Sequence, residues 1–581
     1  MAKGDAAISI PVPVGGWHTD VPRYQVPPNA LQDGLNVLVD RDGILRPRRG
    51  YEPLPAQPDV SKEPDFASHR ITGGVAWSET GNQMIVVSTP TRWWLLLTNG
   101  WVDITGDPQD GDEPTTPARF AQFGVVDGQY ELYGVNGMGH SPMRKWHLTD
   151  PITGYETMVD VDNGNFTFSA NDLLVINNRL VAVATEESGV FFPRRVRWSS
   201  VNNASGVHSL SGQGSWPPLA FNDLEGDAGN LICGQLTSRT TAIIYAQNGA
   251  WIMSAREGTD ADAFAFDRLN GAYAAPWSPS SIVNVGGIHY YLATDRHIWR
   301  CDGQSAQPIS EAIDAGLLRL VDVSMDQAPQ TLYDQSQFRL WFFFDPEDAD
   351  ESDQPDDEDA EPSAAIAYDL LTGSWSVPQR FADGISMAMP VIEQMGPTWD
   401  NPGTDSSGND YTWDTAPWAN WNSIPETFAP AMYIGLTNGL VCRFGQAVTD
   451  NGAAITYQAI WGQRTGQDSK DMLNINTAEI YLEPIDQAEP VEVSIQGFQT
   501  PYDNAPSTIL DVSISQNDVN QWLMECVPPA NAQPSGSFKN AVFMQFAIAG
   551  QSETGMPAFA GAWMFGSVLR RADRPIRDAN G

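Results

Sequence analysis

The sequence predicts an all-β chain: a β-propeller of about six blades followed by a separate β-sandwich. Three observations carry that expectation. Short runs of β-branched and aromatic residues are punctuated by tight Gly, Asn and Asp turns, the local signature of antiparallel hairpins. Groups of such runs recur at intervals of roughly 40 to 50 residues, as expected of small sheets that bury their faces only against neighbours. After Phe444 the strand-like runs continue without that recurrence, so a different β architecture takes over. A large jelly-roll or sandwich array is the competing arrangement.

Taken in order, residues 1–60 are a proline-rich arm in which 36–39 and 44–46 pair as a hairpin through Asp40-Arg41-Asp42-Gly43, able to close a ring. Residues 61–446 carry the repeats. The first, 71–105, has four strands turning at Thr80-Gly81, Pro90 and Asn99-Gly100. Further repeats span 119–148, 173–199, 231–269, 281–310 and 331–377, and 431–444 is a partial seventh. The clearest is 281–310, where Gly286-Gly287, Asp295-Arg296 and Asp302-Gly303 separate four extended pieces. A turn followed by tryptophan or an aliphatic residue recurs, as in Asn99-Gly100-Trp101, Gly373-Ser374-Trp375 and Asn438-Gly439-Leu440. Insertions interrupt the pattern at 345–362, which is strongly acidic, and at 395–421, which is rich in Trp and Asp. Residues 447–569 read as the β-sandwich and 570–581 as an arginine-bearing tail.

Charge is the outlier. With 72 acidic and 32 basic residues the chain carries −40 at pH 7, which repels free nucleic acid and anionic membranes and favours solubility. Lysine is confined to Lys3, Lys62, Lys145, Lys470 and Lys539, consistent with a salty habitat or a skewed genome. Cys233, Cys301, Cys442 and Cys526 form no C-x-x-C, so buried thiols are expected rather than a zinc site or a disulfide framework. The amino terminus lacks the basic start and apolar core of a signal peptide, and no stretch approaches roughly 18 apolar residues. Synthesis in cytoplasm-like conditions without stable membrane insertion is the expectation.

Catalytic signatures are not found: no G-x-S-x-G, Walker A, strand-linked G-x-G-x-x-G or H-E-x-x-H is present. Paired carboxylates are uninformative at this charge. His140 and His147 lack metal-ligand spacing, and His289 and His297, which flank one hairpin, read as structural. The acidic insertion offers oxygen ligands for calcium, but it lacks the order of a tight calcium loop and Pro355 interrupts it, so a solvated charged loop is expected. No cofactor or catalytic residue is assigned. Trp399, Trp413, Trp418 and Trp421 are candidate partner or glycan contacts, with Asp400 and Asp414 able to bond sugar hydroxyls. Arg46, Arg48, Arg49, Arg570 and Arg571 are candidate subunit contacts.

The segments LNVLVDRDGILRPRRGY, VRWSS, PSSIVNVGGIHYYLATDRHIWRCDGQSAQPIS and YDLLTGSWS resemble the tail nozzle, or tail tubular, β-propeller proteins of short-tailed bacteriophages. The likeness runs through much of residues 20–445 as a pattern of turns and aromatics, without a single diagnostic motif. It implies a structural virion protein, not an enzyme, made in the host cytoplasm and resident in the tail. It implies a homo-oligomeric ring, usually a hexamer, that meets the head-to-tail adaptor and other tail proteins and encloses a channel for DNA. Six copies at −40 each would bring roughly 240 negative charges, so that DNA passes transiently without sticking. A carbohydrate-binding or glycan-cleaving propeller that recognises a host surface through the tryptophan insertion is the alternative.

Overall fold

A computed structural model of the chain describes residues 3–54, 70–79, 82–97, 100–105, 117–126, 129–147, 159–161, 168–202, 204, 216–224, 227–271, 273–322, 328–346, 363–395, 427–465, 471–483, 490–498, 507–514, 524–526, 543–553 and 558–570. Its tight turns set the grain. Asn177 and Asn178, with φ of 49° and 57°, supply the two left-handed residues of a two-residue hairpin between Phe168–Ile176 and Arg179–Glu187. Gly286 and Gly287 do the same between Ile282–Val285 and Ile288–Leu292. Repeated along the chain, such turns make the described residues nearly all β, in many small antiparallel sheets.

Seven of these are four-strand meanders, the sixth with one further short strand. They open with Gly73–Glu79, Arg119–Val126, Phe168–Ile176, Leu231–Leu236, Ile282–Val285, Gln330–Asp334 and Ile385–Met395. Each opening strand touches the next, and Ile385–Met395 touches Gly73–Glu79, so the contacts form a closed circuit. Close approach between sheets is visible at Gly134: a Cβ there would lie 1.9 Å from the ring of Trp93, itself 1% exposed. Only a residue without a side chain lets that indole lie on the neighbouring strand.

The circuit has seven sheets where about six were expected. The piece at 431–444, a partial repeat by its sequence, belongs to a complete sheet of Ile385–Met395, Thr427–Leu436, Val441–Ala447 and Gly50–Pro53. Its outer strand comes from the N-terminal arm, with Phe444 opposite Tyr51 and Cys442 opposite Pro53. No local pattern marks that pairing, because the partners lie almost the whole circuit apart in sequence. The expected arm hairpin does form, Leu38 facing Arg46, but it is not the ring-closing element. Its Leu45 pairs with Phe559 and joins the C-terminal sheets instead.

Those C-terminal sheets are two, of six strands each. One contains Val37–Val39, Leu45–Pro47, Ala558–Arg570, Asp471–Glu483, Met524–Cys526 and Lys3–Ile10; the other contains Leu31–Leu35, Ile455–Trp461, Phe543–Ser552, Val491–Phe498, Ser507–Ile514 and Arg464–Thr465. Val491–Phe498 buries alternate side chains, the period-two pattern of a strand with one face on a core. Trp461, fully buried, sits 5.2 Å from Phe546 on its own sheet and 5.1 Å from Phe559 on the facing one. This core is continuous with Tyr290, Leu292, Leu340 and Phe342 of the fifth and sixth circuit sheets. A short helix, Asp314–Leu320, lies between those two sheets in sequence, its start held by the arm: Ala315 N and Gly316 N donate to Asp20 Oδ1 and Thr19 Oγ1 at 2.9 and 3.0 Å. No helix among the described residues is long and apolar enough to cross a membrane.

Candidate functional site

The segment 35–51 is where the circuit and the C-terminal sheets meet, and its polar residues explain how. Asn36 adopts φ 54°, the left-handed conformation asparagine tolerates, so its side chain can serve both units. Its Nδ2 donates to Thr456 O at 2.7 Å, while its Oδ1 accepts from Arg380 N at 2.7 Å and from Arg48 Nε at 3.2 Å. Arg48 is buried and directs its fork at Asp450, with Nη1 to Oδ1 at 2.7 Å and Nη2 to Oδ2. Nη2 also donates to the Arg380 carbonyl, and the guanidinium lies 4.1 Å over the Phe381 ring. Such planar, bidentate and stacked use of the cation is specific to arginine. Tyr51 OH donates to Asp383 Oδ2 at 2.6 Å; burial first, and then that carboxylate, pushes the phenol far above its ordinary value.

Arg48, expected as a subunit contact, is 1% exposed and is bonded to Asn36 and Asp450 and stacked on Phe381. Arg46 pairs with Asp40 at 2.7 Å, and Arg49 is exposed, donating to Gln446 O at 3.1 Å. Arg570 closes the strand Ala558–Arg570 opposite Asp471. Arg571, Trp399, Trp413, Trp418 and Trp421 lie outside the described residues, as do Asp400 and Asp414 and residues 347–362 of the acidic insertion.

Beside the junction is a cavity of about 390 Å³. The arm contributes Asp40, Arg46 and Arg49; the turn after Gln330–Asp334 contributes Gln335, Ser336 and Gln337. Apolar walls come from Val391, Ile392, Ala431 and Met432 of the seventh sheet, with Trp77 of the first sheet and Trp341 of the sixth. No local pattern marks this cavity, because six separated segments build it: 38–49, 76–77, 333–341, 390–392, 430–432 and 444–446.

The histidine pair does not form a site. His289 Nε2 donates to Leu236 O at 2.9 Å, which leaves Nδ1 to accept from Tyr245 OH at 2.8 Å. Burial lowers its pKa, holding the ring neutral between the fourth and fifth sheets. His297 turns instead to Asp295 and Asp314, at 3.5 and 3.4 Å. Cys233, Cys301 and Cys442 are buried free thiols, and burial, followed by Asp383, pushes Cys442 up to about 12. Among the described residues no group of three or more His, Cys, Asp and Glu side chains is placed to hold a metal ion.

No family model matches the chain, and no curated protein matches it. Similar solved structures include the computationally designed Ika8 protein, at 12% identity and TM-score 0.30, covering 65% of this chain and 97% of that one. Virginiamycin B lyase from Staphylococcus aureus is similar at 6% identity and TM-score 0.35, covering 65% of this chain and 96% of that one. A protein from Lactobacillus plantarum is similar at 11% identity and TM-score 0.28, covering 53% and 84%. Superpositions this loose carry no argument about what the chain does.

Proposed function

We propose that this chain is a non-enzymatic structural virion protein, a seven-bladed β-propeller joined to a β-sandwich. It assembles as a homo-oligomeric ring, six copies by the resemblance noted above, in the tail nozzle of a short-tailed bacteriophage and conducts DNA during ejection. The observation that carries this reading is the role of residues 35–51. One of the segments that resemble those tail proteins is the one that ties the circuit to the C-terminal sheets, through the Leu45–Phe559 and Tyr51–Phe444 pairings and the Arg48–Asp450 bond.

A circuit whose last sheet is completed by a strand from its other end resists opening from either terminus, since opening breaks a row of backbone hydrogen bonds. That property suits a part that must stay closed while DNA passes. The net charge of −40 suits it too, since a lumen of the same sign as phosphate lowers adhesion. The head-to-tail adaptor and other tail proteins are the stable partners in this reading.

Native mass measurement of the purified chain, alone and with its adaptor, followed by particle imaging, tests the proposal. A stable ring that co-assembles with the adaptor supports it. A monomer that binds or cleaves glycans overturns it in favour of the carbohydrate-recognising alternative.

A further inference from the structure

We propose that the cavity beside the arm hairpin binds a small amphipathic anion: an apolar body carrying one carboxylate, sulfonate or phosphate. Its volume of about 390 Å³ lies within the range of small-molecule sites, roughly 300–1,000 Å³. Ile392, in its wall, is 59% exposed, a branched aliphatic side chain with no protein surface over much of its area. Val391 and Met432 continue that apolar wall.

The polar lining decides the sign of the ligand. Its carboxylates are engaged: Asp40 by Arg46 at 2.7 Å, and Asp334 Oδ1 by Ser336 Oγ, Ser336 N and Gln337 N at 2.6, 2.8 and 3.2 Å. Spare capacity lies with donors. Trp341, which lines the cavity, keeps its indole N–H buried with no acceptor among the described residues. Arg49 has no carboxylate within ion-pair reach among the described residues, in a chain where acids outnumber bases 72 to 32. Arg339, deeper in, already donates to Val39 O at 2.7 Å. The spare donor capacity of Arg49 beside an apolar wall calls for a ligand that brings acceptor oxygens and an apolar body.

The full chain is titrated with 1-anilinonaphthalene-8-sulfonate as probe, then challenged with octanoate, octyl phosphate and octanol. We expect one saturable site per chain, displaced by one or both anions and not by octanol at equal concentration; the stronger anion separates carboxylate from phosphate preference. Arg49→Glu and Ile392→Asp should each weaken probe binding by about tenfold or more, with circular dichroism and melting temperature unchanged. Absence of saturable binding overturns the proposal. So does displacement by octanol as effective as by octanoate, or affinity unchanged in both folded variants.

Discussion

Arg48 and Asp450 stand 402 residues apart in sequence and meet as a bidentate ion pair with side chains 0% and 5% exposed. The pair joins the entry of the chain into the circuit to its exit toward the C-terminal sheets. Removing one member leaves the other charged and buried, so Arg48→Met should cost about 3–5 kcal/mol. The double variant Arg48→Met with Asp450→Asn should cost less than the two single changes added together. Urea unfolding of the four proteins gives the coupling, and strict additivity would mean that the pair does not act as a unit.

A second carboxylate ties three sheets at once. Asp172, fully buried on the third sheet, accepts from Arg119 Nε of the second and from Gly234 N of the fourth, each at 2.9 Å. Asp172→Ala should destabilise by about 3–5 kcal/mol, through an orphaned guanidinium and an unpaired amide. Asp172→Asn, which can still accept from Gly234, should cost less. Equal midpoints for the two variants in denaturant would refute the cross-link.

Closure of the circuit rests on Gly50. A Cβ at this position would lie 1.9 Å from the Thr449 carbonyl oxygen, and backbone cannot move aside as a side chain end can. Gly50→Ala should cost at least about 1–3 kcal/mol and open the outer strand to protease between residues 48 and 54. Unchanged cleavage and an unchanged melting temperature would show that the strand tolerates the methyl group.

His289 predicts a pH dependence with a definite sign. Burial depresses its folded pKa below the unfolded value of about 6.5. Above that pH both states are neutral and its full contribution is present; as pH falls below it the unfolded chain gains a proton first, and stability drops toward the folded pKa. His289→Phe should cost about 1–3 kcal/mol at pH 8, by stranding Tyr245 OH and the Leu236 carbonyl. Thermal melts from pH 8 to pH 5 should show that deficit narrowing; a constant gap would mean that the ring titrates alike in the folded and unfolded chain.

Much of this fold was legible residue by residue. The first sheet was expected from 73 to 105 and forms from Gly73–Glu79 to Gly100–Asp103, because Gly, Asn and Asp turns act locally and fix where strands stop. The third sheet was read only to Ser199, since its last strand, Phe221–Asp223, lies well beyond in the chain. The arginines show the limit most plainly. Arg46, Arg48 and Arg49 look alike as a basic cluster, yet one is a half-buried partner of Asp40, one is enclosed on Asp450, and one faces solvent near a cavity.

By itself, then, the sequence determined the all-β character, the meander pattern and the change of architecture after Phe444. These follow from turn chemistry and alternation over a few residues. Only the tertiary structure decided that residues 50–53 complete a seventh sheet, that residues 37–47 belong with the C-terminal strands, and that Asn36, Arg48 and Asp450 form their junction. Backbone pairing carries little residue identity, and strands hundreds of positions apart become partners only when burial of both their faces selects the pairing.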